Sequence, residues 1–327
     1  MLKISRRAFL AASSASMALT ALPVIPAFAQ DYKEAPSLKD QASKLPPLNK
    51  RLPENPLVIT PTEKVGTYGG DWNMALVGGG GLSMLFRYQA YEPLVRFTPD
   101  WSGVTPNVAA PVTADADSKV YTIKLRKGLK WSDGEPYTTD DVKFWYDTCL
   151  TDKRVAFVGN GHWKQGGKPA KLDVVDETTF TVTFEKPNGF FPLNIAWANN
   201  DQTTRTPKHY LSQFHIDYNP KADDLAKQRG LGGWVALFQQ EVGFQDDNIF
   251  FQNGNRPSLF AWQFTVAPGA SNEQSIAVRN PYYFKVDTEG NQLPYMDRVV
   301  YQMVADPQVL LLKCMQGQID VMDQYIG

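Results

Sequence analysis

Cysteine, histidine and surplus charge are what this 327-residue chain has least of. Two cysteines, Cys149 and Cys314, exclude a disulfide-stapled scaffold and a cysteine-rich zinc fold. The three histidines, His162, His209 and His215, form no His-Glu-x-x-His pair. His209 and His215 lie six apart, an awkward helix spacing for a shared ligand, so local hydrogen bonding or solvation is the expected role of each. With 33 Lys+Arg against 34 Asp+Glu, there is no basic excess for nucleic acid or a polybasic membrane contact. No Gly-x-Ser-x-Gly elbow occurs. Gly161–Pro169 mimics a phosphate loop, but an extra glycine displaces the lysine and Pro169 stands where a metal-binding hydroxyl belongs. Gly78–Gly81 lacks the third glycine of a dinucleotide fingerprint, because Ser83 takes its place. No cofactor and no metal are therefore expected. The neighbours Asp140-Asp141, Asp223-Asp224 and Asp246-Asp247 point apart on a regular element, which suits capping or solvation. An exported glycan or peptide hydrolase would need two carboxylates at a defined separation, and nothing in the sequence aligns them.

What is present begins with an address. Lys3, Arg6 and Arg7 precede a weakly apolar, Ala- and Ser-rich run from Ala8 to Ile25. Ala27-Phe28-Ala29 supplies the small-x-small pattern a signal peptidase requires, so residues 1–29 read as an export signal. Ser5-Arg6-Arg7-Ala8-Phe9-Leu10 resembles the twin-arginine motif read by the Tat machinery. Pro23 and Pro26 interrupt the run and speak against a membrane anchor. No cysteine follows the cleavage site, so the mature chain is expected to be periplasmic, soluble and not a lipoprotein. An oxidising periplasm permits a disulfide, but Cys149 and Cys314 sit in helix-like apolar patterns and read as two small buried hydrophobes.

Apolar residues at 43% and charged residues at 20% are globular values, and the length suggests about two domains. Residues 30–66 carry six prolines and read as an extended surface arm without regular helix or central strand. Strands are expected at Asp71–Val77, Val120–Arg126, Phe180–Phe184, Trp262–Val266, Ser275–Arg279 and Arg298–Val304, with another start at Ile319–Val321. Leu82–Gln89 reads as helical. Thr139 before Asp140 and Asp141 marks a helix start. Val142, Trp145, Tyr146, Cys149 and Leu150 then form one apolar stripe. Val309–Gln316 reads as a last helix. Residues 220–256 are polar, with Trp234, Leu237 and Phe238 as isolated apolar points. Eight tryptophans include Trp72, Trp101, Trp131, Trp163, Trp197 and Trp262 near turns, where loops can present them to a ligand.

Several blocks together are specific: Tyr91-Glu92-Pro93-Leu94-Val95, the run Tyr121–Pro136 containing Trp131-Ser132-Asp133-Gly134, Thr139-Asp140-Asp141-Val142, Pro207-Lys208-His209-Tyr210, Arg279–Asp287 and Gly317-Gln318-Ile319-Asp320. They resemble the family 5 extracellular solute-binding proteins of ABC importers, the oligopeptide/dipeptide/nickel group, from about Gly66 onward. The resemblance implies a mixed α/β, periplasmic-binding-protein-like fold of type II with an extra domain. It places lobe I at 67–90 and 211–300, the extra domain at 91–210, and a crossing segment with the start of lobe II at 301–327. Most of lobe II is then missing, so the chain looks C-terminally truncated. The implied function is capture of an oligopeptide-like solute for an inner-membrane ABC permease, without catalysis and as a monomer. A subgroup of oligosaccharide binders shares the Tat signal, Tyr68-Gly69-Gly70 and the Asp287–Tyr295 turn. The resemblance puts ligand contacts at Gly79, Gly80, Gly81 and Leu82, at Phe260, Trp262 and Gln263, and at Tyr301 and Met303.

Overall fold

The computed structural model describes residues 31–39, 44–78, 82, 84–155, 161–198, 200–244, 246–269 and 273–322. The proline-rich start is less plain than its composition suggests. It forms two single helical turns, α1 (Pro36–Lys39) and α2 (Leu48–Arg51), and a short strand β1 (Leu57–Ile59). Proline fixes φ without preventing one helical turn, so the expectation of a purely extended arm fails at these turns. Nor does the segment only lie on the surface. Ala35, Leu38, Arg51 and Leu52 are buried, and Arg51 Nη1 donates to Pro281 O at 2.6 Å.

Next come β2 (Asp71–Val77), α3 (Leu85–Tyr88), and a small pair, β3 (Val95–Phe97) with β4 (Val104–Pro106). The helix expected over 82–89 is described as regular only at Leu85–Tyr88. A four-stranded antiparallel sheet follows from β5 (Thr113–Ala114), β6 (Val120–Lys124), β9 (Lys171–Val174) and β10 (Thr179–Thr183), in the order β5-β6-β10-β9. A minor hairpin of β7 (Lys164–Gln165) and β8 (Lys168–Pro169) lies inside it in sequence. The alternation read from sequence is borne out: Tyr121, Ile123, Phe180 and Val182 are buried and Lys124 is exposed.

Helix α4 (Thr139–Trp145) crosses over this sheet and runs into a π turn at Tyr146–Leu150. Its cap sits one residue earlier than expected. Thr138 Oγ1 accepts from Asp140 N at 3.2 Å, and Thr138 N donates to Asp141 Oδ2 at 3.0 Å, a reciprocal box. Thr139 instead donates its hydroxyl to Asp176 O at 2.7 Å. The stripe Val142, Trp145, Cys149 and Leu150 is buried, with Tyr146 half-buried. Trp131 is buried beneath the turn ending at Gly134, whose φ of +94° favours glycine.

Short helices α5 (Phe191–Ile195) and α6 (Lys208–Leu211) lead to α7 (Ala222–Gln228), α8 (Trp234–Val242) and α9 (Asp247–Gln252). These last three occupy the stretch read only as polar. A helical signal was present there, because Trp234, Leu237, Phe238, Glu241 and Val242 repeat at i, i+3, i+4, i+7 and i+8. The second large sheet is β11 (Trp262–Val266), β12 (Gln274–Arg279), β14 (Arg298–Val304) and β2, in the order β11-β12-β14-β2. Strand β13 (Lys285–Asp287) pairs in parallel with β1. The strands expected here stand as read, except that Ile319–Val321 is not regular. Asp320 alone bridges to the strand edge, its N–H donating to Asn73 O at 2.9 Å. The last helix, α10 (Pro307–Met315), starts two residues earlier than expected. Asp306 caps it by accepting from Gln308 N and Val309 N.

Candidate functional site

The β11-β12-β14-β2 sheet has two covered faces and two distinct ends. On one face Met74, Leu76, Ala277, Val299 and Tyr301 join the main core. On the other, Val77 and Val304 pack with Leu310 of α10 and with Ile319. Strands β2 and β14 run in parallel, Asp71 opposite Arg298 at one end and Val77 opposite Val304 at the other. Open α/β sheets take ligands outside the carboxyl ends of parallel strands, because backbone groups leaving the ladder there face an unfilled crevice. At that end Gly78 N donates to Val304 O at 3.1 Å, and Met303 N donates to Glu273 O at 2.8 Å. The edge thus gathers the start of the glycine turn, the end of β14 and the β11–β12 turn.

The residues expected at a ligand fall into three groups. Gly79, Gly80 and Gly81 lie outside the described residues, as do the signal residues Arg6, Arg7, Ala27 and Ala29. Phe260, Trp262 and Gln263 come together around one pocket of about 30 Å³, which has room for a water or two and not for a solute. Tyr301 and Met303 share the core-side face of β14 near its carboxyl end. Tyr301 is buried against Phe264, and its hydroxyl, with no hydrogen-bond partner, is pushed upward in pKa by burial. Met303 and Gln263 are half-buried, whereas Leu82, Phe260 and Trp262 are buried.

Of the tryptophans near turns, Trp131 and Trp163 belong to the core. Trp101 and Trp197 alone among that set are exposed, at 66% and 51%, and both contact Phe97. Cys149 is buried and its thiol is pushed up to about 12 by desolvation; Cys314 is half-buried, and both are free.

The carboxylate neighbours do structural work. Asp141 closes the cap of α4 and also accepts from Lys208 N at 2.9 Å, while Asp223 accepts from Trp234 N at 2.8 Å. Burial outweighs these bonds at Asp141 and lifts its carboxyl to about 6. The histidines are locally bonded: His162 Nε2 lies 2.8 Å from Asn200 O and His209 Nε2 lies 2.7 Å from Asp133 Oδ2. Asp152, His215 and Asp217 bring their ligand atoms within 4.8 Å of one another, yet Arg154 already pairs with both carboxylates. A guanidinium fills the place where a cation would neutralise that cluster.

One polar group of the core gave no sequence signal. Glu92, which the sequence offered only as part of a block, is buried and fully engaged. Its Oε1 accepts from Tyr283 Oη at 2.6 Å, its Oε2 lies 2.7 Å from Lys285 Nζ, and Asn107 Nδ2 donates to Oε2 at 3.0 Å. Burial pulls the Lys285 ammonium down to about 8 against the opposing pull of Glu92. No local pattern marks two residues 193 apart as partners.

A mixed α/β scaffold with a parallel strand pair in one sheet and a separate antiparallel sheet is the architecture of a periplasmic-binding-protein-like lobe. The chain belongs to the bacterial extracellular solute-binding proteins, family 5, whose profile matches residues 103–326. It is 28% identical over 299 residues to a periplasmic alpha-galactoside-binding protein of Rhizobium meliloti (strain 1021), covering 84% of this chain and 39% of that one. It is 26% identical over 241 residues to a probable D,D-dipeptide-binding periplasmic protein of Escherichia coli (strain K12), covering 72% and 38%. Among solved structures, an oligopeptide-binding protein OppA superposes with a TM-score of 0.78 at 33% identity, covering 90% of this chain and 44% of that chain. The periplasmic binding protein MelB of Agrobacterium fabrum C58, in complex with stachyose, superposes with a TM-score of 0.67 at 25% identity, covering 88% and 43%. The chain therefore spans less than half the length of these relatives. Among the described residues, no helix is long and apolar enough to cross a membrane.

Proposed function

We propose that this chain supplies the first lobe of the periplasmic substrate-binding component of an ABC importer, which captures an oligopeptide-like solute and passes it unaltered to an inner-membrane permease. The observation that carries this reading is the parallel β2–β14 pair, which ends beside Gly78 at its carboxyl end in a chain of a solute-binding family. In this reading Gly79, Gly80, Gly81 and Met303 meet the solute, with Glu273 beside Met303. Leu82 and Tyr301 are buried and support the sheet from beneath, whereas Phe260, Trp262 and Gln263 lie toward the other end of the pair, where Gln263 stands opposite Val278 and Val278 opposite Arg298, away from that edge. Residues 67–90 and 211–300 would be lobe I, 91–210 its extra domain, and 301–327 the crossing into a second lobe. Leu311, Leu312 and Met315 on α10 are exposed, and such an apolar face suits coverage by that second lobe. Solute would favour the closed state because only that state contacts it from both sides.

An oligosaccharide is the second reading. It is favoured by the breadth of the likeness to the alpha-galactoside-binding relative, which takes in 84% of this chain. Calorimetric titration of the periplasmic protein with short peptides and with stachyose separates the two. Heat with peptides and none with stachyose is the expected result. Heat with stachyose alone would move the assignment to sugars, and turnover of either compound would replace it with a hydrolase. Export through the Tat route is part of the proposal and rests on Arg6 and Arg7. Converting both to lysine should hold the protein in the cytoplasm; undiminished periplasmic yield would sink that part.

A further inference from the structure

The geometry points to a second ligand site, for a small one-ring carboxylate, in a pocket at the amino-terminal end of the β2–β14 pair. This pocket has a volume of about 300 Å³, the lower end of the range for small-molecule sites. Its walls come from the end of α3 and the segment after it, from the start of β11, from Tyr283 and from the residues just before β14. Seven residues of β14 separate it from the carboxyl edge, a distance of about 20 Å at the usual strand rise, so it is not the solute cleft proposed above.

Charge decides what it would hold. Two guanidinium groups line it, Arg87 and Arg96, and neither makes an ion pair among the described residues. The one acid in the lining, Glu92, already has Lys285, Tyr283 and Asn107 on its oxygens, so it offers no free negative charge. The Arg96 guanidinium carbon lies over Tyr91, 4.2 Å from the ring centroid. Stacking uses the face of a guanidinium and leaves the in-plane N–H fork free, and that fork matches a carboxylate.

The rest of the wall is aromatic. Tyr88, Trp262 and Tyr295 offer ring faces and edges to a flat body, which inorganic phosphate could not use. The Trp262 Nε1 donor and the Gln89 Oε1 acceptor lack partners, and both residues line this pocket and the neighbouring pocket of about 30 Å³.

Benzoate is the probe, titrated calorimetrically into the whole protein, with benzamide and inorganic phosphate as comparisons. Benzoate should bind, and benzamide should bind about ten-fold more weakly or worse, since it lacks the charge that the arginine fork pairs. Arg96→Gln should weaken benzoate about ten-fold, and Arg87→Gln, on an exposed side chain, less. Equal affinity for benzoate and benzamide would overturn the site. So would benzoate binding untouched by both substitutions, or no heat at about 10 mM, a concentration that would detect even weak binding. Phosphate binding as tightly as benzoate would overturn the ring-shaped ligand. If Arg96→Gln does not fold, Arg87→Gln alone decides, because its side chain supports no packing.

Discussion

The two four-stranded sheets solve different problems. The β5-β6-β10-β9 sheet is antiparallel throughout and is built from residues 113–183, with its outer pairs β5–β6 and β10–β9 as local hairpins and only β6–β10 joined at longer range. The β11-β12-β14-β2 sheet brings Asp71–Val77 beside Arg298–Val304, across more than two hundred residues, and makes that pairing parallel. Short hairpin connections close an antiparallel sheet on itself. A parallel pair made at long range leaves two strand ends pointing the same way, with the chain free to depart in different directions. Both sheets carry core, and the second also brings two parallel strand ends side by side, the arrangement the proposed solute site rests on.

The largest expected effect breaks the seam between these regions. Glu92 stands before β3 on the way into the first sheet, and Lys285 sits on β13 beside the second. Both are nearly inaccessible, at 6% and 3% of side-chain surface. Lys285→Ala would leave a buried carboxylate with only Tyr283 and Asn107, at a cost of about 3–5 kcal/mol in a urea unfolding measurement. Glu92→Gln combined with Lys285→Met removes both charges together and should recover most of that loss. A double variant as unstable as the single one would show that shape, not charge pairing, holds the seam.

A smaller effect tests the open sheet. Tyr301 buries a hydroxyl with no partner, and such a group costs stability. Tyr301→Phe should raise stability by about 1 kcal/mol and leave solute titrations unchanged, as expected of a residue beneath the edge. A loss of solute affinity would instead place Tyr301 in contact with the ligand.

The same contrast explains what could be read in advance. Tyr121, Ile123, Phe180 and Val182 alternate because one face of this antiparallel sheet is buried, and that pattern is visible within each five-residue strand. Strands Trp262–Val266 and Arg298–Val304 were equally plain as strands. That Arg298 lies against Asp71 was not plain, since register across long range leaves no local trace. The solute edge was legible only through the likeness to family 5, because Gly78 beside Val304 is a product of topology. The pocket beside Arg96 had no signal at all. Its lining comes from four separated segments, and an arginine over a tyrosine five residues earlier reads as ordinary surface. Helix α8 was missed for another reason: Glu241 and the glutamines masked a stripe whose spacing was correct.

The smallest effect lies in the first region and is a matter of pH. His209 on α6 lies 2.7 Å from Asp133 in the turn beneath which Trp131 is buried, with Glu135 and Asp141 also facing it. Desolvation lowers the imidazolium, but the hydrogen bond and charge of Asp133 outweigh it and hold the pKa above the ordinary histidine value. The folded state thus binds this proton more tightly than the unfolded chain. Its contribution is complete below the unfolded value of about 6.5 and is lost as pH rises through the folded one. His209→Gln should therefore lower stability most near about pH 6 and progressively less toward about pH 8. His162 and His215, both lowered by burial, drive the opposite trend in the parent, so only the difference between parent and variant isolates His209. A difference constant across that range would mean that the His209–Asp133 contact is held by packing and hydrogen bonding without charge.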